Sequence, residues 1–551
     1  MNIMKITISK LIAILVLSTA FLLGCQDDLI DKNENPNGVS PDNVHPNLML
    51  ATVLTQSSKN VVSLGFGNIA GVMQHTQKNG WAGGHNNYDW SNQSWTGYYN
   101  ILRDNNVMYE RAVAMDLPFH QGVALVIRAY NFGMITDLWG DAPYTNALNA
   151  SEGGNENLLP AFDTQDVIYQ GILADLEMAN TVLAIDAGSA QDENIYDTDV
   201  IYGGDPLQWR MFANSLQLRY YMRISGKEPA MAQAGIEKIA GNPDQYPIIT
   251  NIENDATMSY VGNSSDDAWP SNSVFDLGGS QYTRIQMCET LIDALQTRND
   301  PRIAVWAEKV DVPLVVSDTL PAETNTIIDG VRYISPDQIP PGIPYNTDPE
   351  YVGLPPAVVN IPAGYNLNAG AGQGSANPHV SAISDMYRDA TGSMLLARLA
   401  SAAEVHFILA EAALNGWAVG DAQTHYNAGV QASFETWGVG DQYEAYLAGA
   451  AAFDGTLEQL ITQKWIASWT AATEAWFDYR RTGFPALEAG EAARRSALPL
   501  RFYYMQDELT VNESNAMEAV GRLEETAFTS PDGKNSAWSK PWVLQGTGEP
   551  Y

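Results

Sequence analysis

The sequence is poor in the residues on which several function classes depend. Cysteine occurs twice among 551 residues, at Cys25 and Cys288, which excludes a disulfide framework and a zinc site of the CxxC…CxxC kind. The seven histidines show no HExxH-like pairing and no GxxxxGK[ST] segment is present, so zinc-hydrolase and nucleotide readings have nothing to stand on. Positive charge is scarce. Against 64 Asp and Glu there are 29 Lys and Arg, a net charge of −35, which repels a phosphate backbone and excludes nucleic acid as a partner. Aromatic residues, by contrast, make up 10% of the chain, with 14 tryptophans.

The first residues read as an address. Lys5 and Lys10 form a basic start, and the apolar run from Leu11 to Leu23 is too short to span a bilayer. Leu22-Leu23-Gly24-Cys25 resembles the lipobox of bacterial lipoproteins, which implies removal of residues 1–24 and acylation of Cys25. The following Gln26-Asp27-Asp28 resembles the surface-export signal of Gram-negative lipoproteins. Residues 25–46, rich in Asp, Asn and Pro, cannot bury apolar area and read as a lipidated flexible tether. The expected location is therefore the outer membrane, lipid-anchored and exposed at the cell surface.

Residues 47–551 read as a single, mostly α domain with little β. Apolar residues recur at helical spacing over 120–139, behind Thr164, and over 207–224 behind an Asp205-Pro206 cap. A second helical group is expected at 395–417, 421–437 and 457–472. The spacing of Ala412, Gly416, Ala422 and Tyr426 resembles tetratricopeptide packing, so the helices are read as degenerate tetratricopeptide-like pairs. Between the groups, residues 248–392 are rich in Asn, Asp, Pro and Gly and read as a long irregular loop insertion.

Several segments together resemble the SusD/RagB family of surface nutrient-binding lipoproteins. Arg128 to Asp137 leads into Gly140-Asp141-Ala142-Pro143-Tyr144, similar to that family's helix ending in a YGDVPY-like turn. Asn299-Asp300-Pro301-Arg302 is similar to its NDPR turn, Ala410-Glu411-Ala412 to its AEA helix, and Trp476-Phe477-Asp478 with Arg501 to Glu508 and Asn512 to its C-terminal elements. Tyr351-Val352-Gly353-Leu354-Pro355 points to the subgroup with a Tyr-x-Gly-x-Pro element. The resemblance implies a helical fold, no catalysis, no cofactor, and partnership with a TonB-dependent, SusC-like transporter to which a captured oligosaccharide, or alternatively an oligopeptide, is handed.

For sugar capture, aromatic faces take the C–H faces of the rings and amides or carboxylates take the hydroxyls. Two stretches mix these residue types: 79–95, with Trp81, Tyr88 and Trp90 among Asn, Gln and Gly, and 262–282, with Trp269 and Tyr282. These five are the expected ligand-binding residues, whereas Trp95 and Tyr99 at the start of the next helix are assigned to packing. Carboxylate pairs such as Asp137 and Asp141 keep a surface glycosidase as a lesser alternative. No DxDxDG spacing supports Ca²⁺ binding to the Asp-rich loops, and no metal site is expected. His406 is read as structural, Trp465, Trp469, Trp476 and Phe477 as core, and Arg480 and Arg481 as partners of acids in that core.

Overall fold

The computed structural model describes residues 44–78, 83–90, 93–186, 195–358, 364–368 and 377–551. The Cys25 lipidation signal, the tether up to residue 43, and Trp81 lie outside the described residues. Residues Pro46–Tyr551 form one compact unit.

The longer helices of the first half are α1 (Asn47–Gly65), α2 (Thr96–Ala114), α3 (Pro118–Trp139), α4 (Gln165–Val182), α5 (Pro206–Arg223), α6 (Pro229–Ala240) and α7 (Glu289–Thr297). Those of the second half are α8 (Ala402–Leu414), α9 (Ala422–Thr436), α10 (Leu457–Ala467), α11 (Ala472–Thr482), α12 (Gln506–Val511) and α13 (Glu513–Arg522). Several starts follow from chemistry visible in the sequence. The Asp205 carboxylate accepts from the Leu207 and Gln208 amides ahead of α5, with Pro206 at its first position. Asp421 accepts from Thr424 ahead of α9.

The helices pack in consecutive pairs. Tyr98 meets Trp139 and Asn105 bonds the Ala124 carbonyl, so α2 and α3 run antiparallel. α3 also packs on α4, α4 on α5, and α8 on α9 and α10. A Cβ at Gly133 of α3 would meet the Tyr220 hydroxyl of α5 at 2.0 Å, so this position admits only glycine if the two helices are to approach as they do. The fold is mostly α with degenerate paired helices, as the patterning predicts.

Two expected boundaries are corrected. Residues 396–400 are a strand, not the first turns of a helix, and Ser401 caps α8 by accepting from the Glu404 amide. The helix expected over 457–472 ends at Ala467 as α10, and after a turn in which Thr470 has φ 68° a separate helix, α11, begins at Ala472. The strands are β1 (Thr76–Lys78), β2 (Ala256–Ser259), β3 (Ile285–Met287), β4 (Leu314–Val316), β5 (Asn325–Ile328), β6 (Val331–Ile334) and β7 (Leu396–Ala400). They form two antiparallel pairs, β1–β3 and β2–β7, and a three-stranded sheet in the order β4-β6-β5. Residues 248–392 therefore carry short strands as well as loops.

The largest side chains meet inside. Phe66, Trp269, Tyr387, Trp469, Trp306 and Trp437 form a chain of ring contacts with centroids between 5.2 and 6.2 Å apart. Trp465, Trp476 and Phe477 are buried as expected.

Candidate binding cleft

Among the described residues of the 76–95 stretch, Thr76, Gln77, His85 and Asn86 bond to backbone and to each other instead of facing a ligand. The Gln77 amide donates to the carbonyls of Gly71 and Thr76, and its oxygen accepts from the Ala357 amide at 3.0 Å. Asn86 bonds both backbone groups of Lys78, and His85 Nε2 meets the Thr76 hydroxyl at 3.1 Å. Burial holds His85 well below the ordinary imidazole value, and the nearby Lys78 adds to this. With the Gln77 and Asn86 amides satisfied in this way, Tyr88 and Trp90 turn inward.

Four of the five expected contact residues are accordingly corrected to core. Tyr88 and Trp90 have no exposed surface; Trp90 stands edge-on to Trp476 and Phe502, each at 5.1 Å, and its indole N–H donates to the Gly84 carbonyl. Trp269 is equally buried, against Phe66, Tyr260 and Tyr387. Tyr282 is 3% exposed; its hydroxyl donates to the Ile383 carbonyl at 2.5 Å and the Arg388 guanidinium covers its ring at 4.3 Å. The physical reason is common to all four: an indole or phenol buries its large apolar surface when neighbouring amides can close the loop over it. Trp81 is the one expected contact the described residues leave open.

The open concave surface begins where this stretch ends, at Trp95. The Trp95 ring is buried against Trp139, Phe162 and Tyr504 as expected; it borders a cleft of about 490 Å³ in which the half-buried Tyr99 is the more exposed aromatic. Thr96, Tyr99, Asn100 and Arg103 recur along one face of α2 and form one wall. Asp507, Glu508 and Val511 of α12, with Asn512, form the opposite wall, and Leu148, Leu158, Leu159 and Pro160 close the end. The Tyr99 hydroxyl donates to the Pro143 carbonyl at 2.6 Å, and the Trp95 N–H donates to Glu508 at 3.3 Å. Asn512 and Asn515 donate to the carbonyls of Pro160 and Leu159 at 2.8 and 2.9 Å, fixing the 158–160 segment to the helix facing it. A second depression of about 570 Å³, lined by Asn146, Asn155, Glu156 and Glu513, shares Leu159, Val511 and Asn512 with the first.

Burial raises the Glu508 carboxyl above its ordinary value; the Trp95 N–H opposes that rise and the Asp507 charge adds to it. Leu158 and Val511 are 59% and 69% exposed, apolar surface left uncovered on the rim. The cleft thus offers apolar area beside carboxylate and amide groups, a combination suited to an amphipathic ligand longer than one ring. The carboxylates that suggested hydrolysis are occupied elsewhere: Asp137 accepts from the Tyr169 hydroxyl and faces Arg223 and Arg480, and Asp141 is bound by Arg522 and the Gln165 amide. His406 meets the Thr250 carbonyl. Among the described residues no group of three His, Cys, Asp or Glu converges as a metal site.

The family model for SusD-like proteins, described as starch-binding and associating with the outer membrane, matches residues 38–315 and 359–505. A SusD homologue from Bacteroides fragilis is similar in structure, with a TM-score of 0.69 at 22% identity over 91% of this chain and 100% of that one. A second from the same species has a TM-score of 0.66 at 23% identity, over 91% and 99%. A chitin-binding protein has a TM-score of 0.65 at 23% identity, over 92% of this chain and 99% of its own. No curated protein matches the sequence.

Proposed function

Because the chain belongs to the SusD-like family of binding proteins associated with the outer membrane, we propose that it is a lipoprotein anchored through Cys25 that captures an oligosaccharide at the cell surface and delivers it to a TonB-dependent, SusC-like transporter. The observation that carries the capture step is the cleft over Trp95 and Tyr99, where apolar surface, amides and carboxylates converge within one concave site. A polysaccharide appears both in the family description and in the name of the chitin-binding structural neighbour, which supports a glycan. Trp81 remains a further proposed contact.

The exposed aliphatic rim of Leu158, Leu159 and Val511 favours a second reading, an oligopeptide whose apolar side chains cover it. Calorimetry of the purified chain against α-glucan, chitin and peptide oligomers separates the two, with Tyr99→Ala and Trp81→Ala variants alongside. Glycan binding weakened about tenfold or more by Tyr99→Ala, a loss of about 1.4 kcal/mol, supports the cleft. Loss confined to Trp81→Ala moves the site to the segment around Trp81. Binding of peptides alone overturns the glycan reading, and turnover abolished by a single carboxylate substitution replaces capture with hydrolysis.

A further inference from the structure

Resting on the glycan reading of the cleft, we infer that it admits neutral and amino-bearing oligosaccharides and discriminates against acidic ones such as uronate or sulfated oligomers. The two adjoining depressions are lined by four carboxylates, Glu156, Asp507, Glu508 and Glu513. Among the described lining residues Arg103 is the single cation, and its guanidinium is engaged by Asp104 at 3.2 Å and by the Asn100 side-chain oxygen. An entering anion therefore meets one cation, already paired with Asp104, against four carboxylates.

Burial is the main cause of the raised Glu508 carboxyl and the neighbouring Asp507 charge adds to it; a ligand carboxylate beside them adds a third like charge. Neutral sugars meet the same groups differently. Their hydroxyls donate to the carboxylates, and the Asn146 and Asn155 side chains, which line the second depression, offer amides to ring and hydroxyl oxygens. An ammonium on an amino sugar gains attraction in place of repulsion. The net charge of −35 on the whole chain extends the effect outward, slowing the approach of polyanions and hastening that of cations.

Calorimetric titration of the full chain with equal-length oligomers of an α-glucan, partly deacetylated chitin and galacturonate tests the inference. At low salt the galacturonate oligomer binds about tenfold or more weakly than whichever neutral oligomer binds, as expected for one added like charge at contact range. High salt narrows that gap by screening. The double variant Glu508→Gln, Glu513→Gln also narrows it, while lowering the advantage of the deacetylated oligomer. Galacturonate bound as tightly as neutral oligomers, or a gap indifferent to salt and to the double variant, overturns the discrimination and leaves glycan capture standing. Failure of every glycan to bind overturns the capture reading itself, and this inference with it.

Discussion

Trp90 illustrates how one residue changes role between sequence and structure. Its indole fills a site between Trp476 and Phe502 with no exposed surface, so Trp90→Ala removes packing, not a ligand contact. Truncating a buried aromatic costs about 3–5 kcal/mol, and urea unfolding of the variant is expected to shift by that amount while the affinity of its folded fraction for a bound oligomer stays at the wild-type value. A lost affinity with unchanged stability would restore Trp90 to the site. Composition could not distinguish the two roles, because an Asn that bonds its own loop backbone, as Asn86 does, has the same letter as one facing a ligand. Trp95 and Tyr99 carry the opposite lesson. Their packing was legible from position alone, whereas their part in the cleft depends on segments some 60 and 410 residues away, around Leu158 and Glu508, which no local pattern announces.

At the scale of elements, the helices with polar caps and an uninterrupted apolar stripe were legible to within a residue or two, as α5 and α9 show. The 395–417 stretch was not, because Leu395, Leu396 and Leu399 satisfy a helical spacing as readily as a buried strand, and the deciding partner, β2, lies about 140 residues earlier. Asp255, beside the β2–β7 irregularity, sets the start of α8 by accepting from the Ala402 amide at 2.7 Å. Burial pushes its carboxyl up to about 7, with Glu404 and Glu253 adding to the rise and the Ala402 amide and Arg398 opposing it. The folded state therefore holds a proton at Asp255 that the unfolded chain, titrating near about 3.9, has released. The stability this group contributes is present below about pH 4 and is lost as the pH rises through about 7. Replacing it in Asp255→Asn keeps the side-chain oxygen and removes the titration. The prediction is that the wild-type midpoint of thermal unfolding falls more steeply than the variant's between pH 5 and pH 8, and parallel profiles would rule out the assignment.

For the molecule as a whole, the two helical groups share one apolar core, and buried charge also bridges them. Arg219 and Arg223 of α5 reach Glu404 of α8 and Glu474 of α11 at 2.6 and 2.5 Å. Arg480 of α11 faces Asp137 of α3 at 3.7 Å, while Lys464 and Arg481 hold Asp478 at 2.7 Å and Arg481 also pairs with Glu411. Five cations and five anions thus balance across helices from both ends of the chain. Burial alone would raise the Asp478 carboxyl, yet Lys464, Arg481 and Arg223 outweigh it and hold the group far below its ordinary value. The pairing of Arg480 and Arg481 with acids was legible from the motif; the span of the network was not, because it joins residues more than 340 positions apart, as Asp137 and Arg480 are. Such a network contributes little net stability compared with a well-packed apolar core, but removing one partner strands the rest. Glu474→Gln leaves Arg219 and Arg223 short of a counter-charge and is expected to cost about 3–5 kcal/mol. Because the network bridges both helical groups, urea unfolding followed by tryptophan fluorescence and by far-ultraviolet circular dichroism should still give one coincident transition, moved to lower denaturant with an unchanged slope. Two separated transitions would mean that the two helical groups unfold independently once the charge network is broken.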